Sequence, residues 1–223
     1  AQFNTIDGKT SSNVVLSGGV SDAAAAYASS GGTTTSGLTA IGAQDGDAVI
    51  TVTDAVNVAQ FNTIDGKTSS NVVLSGGISD TAANLAPSGT ASSGLTNATT
   101  QDGDVAITIT GTNPTVAELN KVASLTTGTV TATISETISN LSSLSTASTD
   151  AITTTVTDAA SVAQFNTLDA KTSVNIVLTG GVSDTAGNLA ASGAASSGLT
   201  NATTQDGDVV ITITDAGGTS VTA

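Results

Sequence analysis

The feature that most constrains this chain of 223 residues is a near-verbatim internal repeat. The sequence AQFNTIDGKTSSNVVLSGG begins at Ala1 and again at Ala59, and AQFNTLDAKTSVNIVLTGG begins at Ala163. A weaker copy, VAELNKVASLTTGTVTATISETISNLSSL, begins at Val116. A fixed repeat means that one supersecondary unit recurs and buries its apolar face against its neighbours. The chain therefore divides into long repeat 1 (1–57), long repeat 2 (58–115), a short degenerate repeat (116–161) and long repeat 3 (162–223).

The first half of long repeat 2 predicts a helix and a strand. Val58, Phe61 and Ile64 lie at helical spacing behind Asn57, and asparagine is a favoured residue at helix starts. The next segment, NVVLSGG, is β-branched and ends in two glycines. This pattern predicts a strand over 71–74 that is followed by a turn.

The second half of long repeat 2 predicts a helical segment, a loop and a second strand. SDTAANLA has a candidate N-cap in Ser79 or Asp80 and predicts one or two helical turns. SGTASSGLTNATTQ, residues 88–101, is rich in glycine, serine and threonine and predicts a loop. DVAITIT alternates strictly, which predicts a strand with its valine and isoleucines on one buried face.

The composition indicates a thin core. Aromatic residues make up only 2% of the chain, and the 38% of hydrophobic residues are nearly all small aliphatics. One bulky position recurs in register and is expected to anchor the core, as Phe3, Phe61 and Phe165, with Leu119 in the short repeat. Thin cores suit extended repeat architectures, and strands alternating with helical segments favour parallel pairing.

We therefore predict a β-rich repeat protein, a solenoid-like stack of parallel strands with short helical turns. Tandem β-sandwich domains are the alternative. Two copies together reach the length of about 100 residues that one sandwich needs.

Each long repeat carries an Asp-Gly-Asp element directly before its most regular strand, and two interpretations stay open. Carboxylates flanking a glycine can both face one ion, and Ca²⁺ takes oxygen ligands of this kind. Asp-Gly is also a common turn before a strand. The short repeat lacks the element, so a metal would belong to the long repeats alone. The candidate calcium ligands are Asp45, Asp47, Asp102, Asp104, Asp206 and Asp208.

The charge balance excludes several classes of partner. The formal net charge is −14, with four lysines and no arginine, so nucleic acid and anionic membrane surfaces are not expected partners. No apolar run approaches the length of a membrane span, and we expect no membrane insertion.

The chain has no histidine or cysteine, and its paired carboxylates recur with each long copy although a catalytic site is normally unique. We therefore predict that it is not an enzyme.

The stretches VAELNKVASLTTGTVTATISETISNLSSL and ISDTAANLA resemble repeats of very large secreted cell-surface proteins of bacteria, cyanobacteria among them. The resemblance covers almost the whole chain and implies an extracellular surface-layer, adhesin or filament component, often calcium-dependent. It implies self-association into a homopolymer as the first function and glycan binding at the cell surface as the alternative. Three acceptor sequons, at Asn97, Asn140 and Asn201, would carry glycans in a host that glycosylates.

Overall fold

The structure, a computed structural model, describes residues 2–111 and 113–215 and is a mixed α/β fold. The helices are α1 (Gln2–Asp7), α2 (Ala24–Tyr27), α3 (Ser36–Gln44), α4 (Val58–Asp65), α5 (Ala82–Leu85), α6 (Ser93–Gln101), α7 (Val116–Ala123), α8 (Ile138–Leu141), α9 (Val162–Asp169), α10 (Ala186–Leu189) and α11 (Ser197–Gln205). The strands are β1 (Val20–Asp22), β2 (Ile50–Val52), β3 (Val73–Leu74), β4 (Ile78–Thr81), β5 (Ile107–Thr110), β6 (Val130–Glu136), β7 (Ala151–Val156), β8 (Val177–Leu178), β9 (Val182–Asp184), β10 (Ala190–Ala191), β11 (Ala194–Ala195) and β12 (Ile211–Ile213).

The strands pair in parallel and largely in chain order, with helical segments between them. One sheet has the order β1-β2-β3, a second has the order β4-β5-β6-β7-β8, and β9 pairs with β12. Single parallel bridges, Val56 to Ile78 and Ala160 to Val182, continue the pairing between these sheets. Only β10 and β11, a short hairpin, are antiparallel among the described strands. We call one strand of this parallel order, together with the helical segments that follow it, a unit. The contact between two consecutive units is called a junction.

The predicted fold class was wrong. Helix accounts for 36% of the structure and strand for 21%, so the protein is neither a β-rich solenoid nor a row of β-sandwich domains. Much of the difference lies in segments predicted as Gly/Ser/Thr loops. Residues Ser93–Gln101 form a nine-residue helix capped by the Ser92 hydroxyl, and Ser36–Gln44 and Ser197–Gln205 are helical in the same way. Burial of one face of each segment overrides the low helix propensity of its Gly, Thr and Asn residues.

Other local predictions are confirmed. Helix α4 begins at Val58 behind a capping box, in which the Asn57 side chain accepts from the N–H of Gln60 and the Gln60 side chain accepts from the N–H of Asn57. Strand β5 alternates as expected, with Ile107 and Ile109 buried and the threonines between them exposed. The cap predicted for α5 was wrong, because the Thr81 hydroxyl takes that role.

The core lies between the sheet and the helical segments and continues from unit to unit. The predicted anchors Phe61, Phe165 and Leu119 are all buried in it, whereas Phe3 is partly buried. The units approach so closely at the Gly-Gly turns that a Cβ on Gly76 would lie 2.1 Å from the carbonyl carbon of Asp54. The two glycines therefore form a turn that allows backbone-to-backbone contact, in agreement with the turn expected after the strand.

Helix α6 can be tested against the loop predicted from the sequence. Leu95 is fully buried in the helix, so Leu95→Ala should lower the free energy of unfolding by about 2–5 kcal/mol. Thr96→Ala is the control, because Thr96 is exposed on the same helix and should change stability by less than about 0.5 kcal/mol. Urea unfolding measures both, and equal small effects would contradict the helix packing described here.

Candidate functional site

The Asp-Gly-Asp elements lie at the turns that lead from the long helices to the strands. Asp45, Asp102 and Asp206 are the C-cap residues of α3, α6 and α11, and each accompanying glycine lies in the turn that follows. The turn interpretation of the element is therefore confirmed. The calcium interpretation depends on what the carboxylates contact.

The first aspartate of each element is hydrogen-bonded to the preceding unit. The N–H of Leu16 donates to Asp45 Oδ2 at 2.5 Å, and the N–H of Leu178 donates to Asp206 Oδ2 at 2.6 Å. Asp102 accepts from the N–H of Leu74 in the same way. Each of these leucines precedes a Gly-Gly turn and lies beside the helix-to-strand turn of the next unit. The aspartate of that turn supplies the acceptor that a backbone N–H shielded from water requires.

In the first two elements, the two aspartates are close enough for one to affect the pKa of the other. In the first element, a hydrogen bond with Asp45, followed by the negative charge of Asp45, raises the pKa of Asp47. The N–H of Leu16 keeps the pKa of Asp45 below its usual value. In the second element, burial followed by the hydrogen bond and charge of Asp104 raises the pKa of Asp102. Like charges at this spacing favour a shared proton or a bound cation.

The carbonyl groups of these turns are used at the following junction. The N–H of Ser69 donates to Gly46 O at 2.8 Å, and the hydroxyls of Thr68 and Ser70 donate to the carbonyls of the next two turn residues. At the next junction the N–H of Thr127 donates to Gly103 O at 2.9 Å. Each turn therefore offers two carboxylates, and in the first two turns carbonyl oxygens that could complete a calcium shell already accept hydrogen bonds from the next unit.

The structure does not bring the three predicted calcium pairs together. Each pair lies at its own junction, and residues 2–111 and 113–215 contain no group of three or more acidic side chains that could hold a metal. Ca²⁺ needs six to eight oxygen ligands, so an ion at one of these pairs would take most of them from water. The six residues remain a predicted calcium set of two carboxylates per site.

A second series of aspartates lies at the strand ends and caps helices of the preceding unit. The first N–H of α2 donates to Asp54 at 2.6 Å, that of α8 donates to Asp158 at 2.6 Å, and that of α10 donates to Asp215 at 2.8 Å. The first N–H groups of a helix have no partner within the helix, and a carboxylate there also interacts favourably with the helix dipole. These aspartates therefore join consecutive units.

Asp80 and Asp184 combine this contact with two bonds inside their own unit. Asp184 accepts from the N–H of Val162 in the preceding unit at 3.1 Å, from the N–H of Thr185 at 2.8 Å and from Asn188 Nδ2 at 2.7 Å. Asp80 makes the equivalent three contacts. The bond from the Asn188 amide, followed by the two backbone bonds, lowers the pKa of Asp184 below its usual value.

A third contact series links the helices of neighbouring units through amide side chains. Asp65 accepts from Asn97 Nδ2 at 3.1 Å and from Gln101 Nε2 at 2.5 Å. The Gln101 Oε1 atom in turn accepts from the N–H of Val72 at 2.8 Å. The same relay recurs in long repeat 3 at Asp169, Asn201, Gln205 and Ile176.

The asparagine side chains of the three sequons all donate hydrogen bonds in the structure. Asn97 and Asn201 donate their Nδ2 groups to aspartates of the preceding unit, and Asn140 donates Nδ2 to Glu136 at 2.8 Å. A glycan attached at Nδ2 would compete with each of these bonds.

Sequence reasoning treated the repeated aspartates as candidate metal ligands and missed their role between units. The sequence contained one indication of this role, which is the position of the aspartates. An aspartate follows a strand at Asp54, Asp158 and Asp215, and each helix that it caps starts without an acidic cap of its own. The partner N–H groups lie 20 to 30 residues earlier, so a local sequence window does not contain them.

Comparison of the chain with protein-family models, with curated proteins and with solved structures gave no match. No helix in the part of the chain that the structure describes is long and apolar enough to cross a membrane.

Asp184 provides a pH-dependent test of the junction bonds. Asp184→Asn should lower the free energy of unfolding by about 1.5–3 kcal/mol at pH 7, because charge-assisted hydrogen bonds are weakened. The folded pKa of Asp184 is lowered, so its stabilisation is present above the unfolded value of ~3.9 and is lost as the pH falls through the folded value. The difference between the variant and the parent should therefore shrink below about pH 4 in urea titrations.

The matched control is Asp22→Asn. Asp22 occupies the same repeat position in the first unit, but it is exposed and accepts a single described bond, from the N–H of Ala23. Its loss should change stability by less than about 0.5 kcal/mol at either pH. Equal effects at the two positions would show that the junction contact does not stabilise the fold.

Proposed function

We propose that this chain is a structural, extracellular repeat protein, a self-assembling surface-layer or filament subunit. The observation that carries the proposal is the use of its acidic side chains. Aspartates at repeated positions accept hydrogen bonds from the backbone of the preceding unit, so these acidic side chains serve to join units. A function based on assembly needs this kind of repeated, identical contact.

The composition supports the extracellular location that we propose. The chain has no cysteine and no methionine, the two residues whose side chains are most readily oxidised. With a net charge of −14 it repels nucleic acid and anionic lipid, and the partners that we propose are uncharged glycans and further copies of the chain once salt screens the repulsion between them. A durable, non-enzymatic polymer outside the cell agrees with both properties.

The outer face of the five-stranded sheet favours a second candidate, an adhesin or glycan-binding module. Thr108 lies beside Thr131, and Thr133 lies beside Thr153, all four exposed on the solvent side of β5, β6 and β7. An uncharged array of hydroxyl groups can exchange hydrogen bonds with sugar hydroxyls. Glycan-array binding by a chain that does not self-associate would favour this candidate over the first.

The assembly proposal is tested by electron microscopy of the purified chain. We expect filaments or sheets at high protein concentration and raised salt, which screens repulsion between acidic chains. Parallel samples with calcium and with a chelator separate metal-dependent assembly from assembly alone. A chain that remains monomeric under all of these conditions would overturn the proposal.

Calcium stabilisation is the second part of the proposal and is supported by the pairing of carboxylates in the first two elements, where the neighbouring aspartate helps to raise the pKa of Asp47 and of Asp102. Calcium at about 100 times its dissociation constant should add about 2.7 kcal/mol to the free energy of unfolding at one site. Titration calorimetry should count one ion for each of the three Asp-Gly-Asp elements. Asp102→Asn combined with Asp104→Asn should remove one of the three, and an unchanged stoichiometry would exclude this pair as ligands.

A further inference from the structure

We infer that helix α9 carries a docking site for a tight turn of small residues, of the Ser-Ser-Gly-Gly type, on a partner protein. The site is a mainly apolar opening of about 210 Å³ between α8 and α9, which we call the α8–α9 groove. The inference does not depend on the proposed self-assembly. The groove is lined on its α8 side by Ile138, Leu141 and Leu144, and on its α9 side by Ala163, Gln164 and Thr167.

The first support is the way in which the same helix face is covered at α4. A turn of the preceding unit lies against this face, and it is closed by the N–H of Gly32, which donates to Ser29 O at 2.8 Å. Gln60 Nε2 donates to Ala28 O in this turn at 2.9 Å. Thr63 Oγ1 donates to Gly32 O at 2.6 Å. The turn leaves the Gln60 side chain only 8% exposed.

Helix α7 is covered by a turn of its preceding unit in the same way. This turn is closed by the N–H of Gly89, which donates to Ala86 O at 3.0 Å. A Cβ placed on Gly89 would lie 3.1 Å from the Cβ of Ala117. A Cβ placed on Gly32 would lie 3.3 Å from the Cβ of Ala59, the repeat counterpart of Ala117. Both turns therefore place a glycine over the same alanine position of the following helix.

Helix α9 carries the same three residues with no turn over them. Ala163, Gln164 and Thr167 repeat the alanine, glutamine and threonine positions of α4, and all three are exposed. In the part of the chain that the structure describes, Gln164 Nε2 has no hydrogen-bond partner. The Thr167 hydroxyl donates only to Ala163 O, within its own helix, at 2.9 Å. The groups that hold the turn on α4 are thus present on α9 and unused.

The face of α9 is open because of the course of the chain after α8. The segment that follows α8 turns back to the preceding unit, where Asn120 Nδ2 donates to Ser143 O at 2.8 Å. The N–H of Ser145 donates to Asn120 Oδ1 at 2.7 Å. The segment therefore contacts α7 and leaves α9 uncovered. The groove lies between two described units, so neither end of the chain creates it.

The size and the chemistry of the groove indicate its occupant. A volume of about 210 Å³ admits a turn of a few small residues and excludes a further helix. The leucine and isoleucine side chains accept apolar atoms, while the Gln164 amide requires a carbonyl oxygen. The turns of long repeats 1 and 2 are engaged on α4 and α7, so we assign the occupant to a partner protein.

The residue at the glutamine position determines which turn fits. In α7 this position is Glu118, which accepts from the N–H of Ser88 in the covering turn. In α9 the Oε1 atom of Gln164 is engaged with the N–H of Ser161, so the free group is the Nε2 donor. The groove should therefore prefer the turn of long repeat 1, which presents a carbonyl, to the turn of long repeat 2, which presents an N–H.

The first test titrates the purified chain with a synthetic turn and follows it by NMR. The probe is a head-to-tail cyclic peptide with the sequence of residues 28–34, because Ala28 and Thr34 are bridged in the chain and a closed ring favours the turn before binding. We expect saturable chemical-shift changes confined to α8, α9 and the segment between them.

The control probe carries Gly32→Val. The glycine has a φ of 77°, which valine adopts only with strain, and the new side chain would meet Ala163 as a Cβ on Gly32 meets Ala59. We expect no binding of this probe. Equal binding of the two probes, or no binding of the parent probe, would overturn the inference.

The second test changes the donor on α9. Gln164→Glu keeps an acceptor for the capping bond, as Glu118 does in α7, and removes the Nε2 donor. The variant should keep the parent's thermal midpoint and bind the probe about tenfold more weakly. Gln60→Glu is the matched control, because the same change under the turn of long repeat 1 leaves Ala28 O without its donor and should lower the thermal midpoint. Unchanged probe affinity of Gln164→Glu would overturn the inference.

The remaining outcomes separate a partner protein from the chain itself. Self-association of the parent that the free probe disperses would assign the groove to a second copy and overturn the inference. Probe binding that appears only after removal of residues 216–223 would assign the groove to the chain's own last segment, which also overturns it. Probe binding that leaves the assembly state in analytical ultracentrifugation unchanged would support the inference, whether or not the parent forms filaments.

Discussion

The first N–H groups of a helix have no carbonyl partner within that helix, and this requirement governs how the units of the chain join. In α2, α8 and α10 the missing acceptor is an aspartate that follows the strand of the next unit. The contact satisfies a buried donor, places a negative charge at the positive end of the helix and holds two units in one register. Strand pairing and core packing keep the same register as these bonds.

The sequence predicted the elements whose signals are local. Strict alternation indicated β5, and Asn57 ahead of a helical apolar pattern indicated α4. Helix α6 was missed because its composition is that of a loop: Thr, Asn and Gly have low helix propensity, and burial of Leu95 and Ala98 against other elements overrides it. Three such helices, α3, α6 and α11, account for much of the difference between the predicted β-rich fold and the mixed α/β fold.

The candidate site shows the same division between local and distant signals. The Asp-Gly-Asp turn was predictable because its geometry depends on three adjacent residues. The bonds that Asp54 and Asp184 accept from Ala24 and Val162 were not predictable, because these donors lie in another unit, 22 to 30 residues earlier in the sequence. Repeated acidic positions in a tandem repeat can thus be structural bonds between copies before they are ligands of anything else.

The direction of the junction bonds has a consequence for synthesis on the ribosome. In the aspartate contacts, the backbone donor belongs to the earlier unit and the carboxylate is made 20 to 30 residues later. The first N–H groups of α2, α4, α8, α9 and α10 therefore gain their aspartate acceptors only when the next unit has emerged. The chain can become ordered progressively from its first residues onward, with only the most recently made unit lacking its acceptors at any moment.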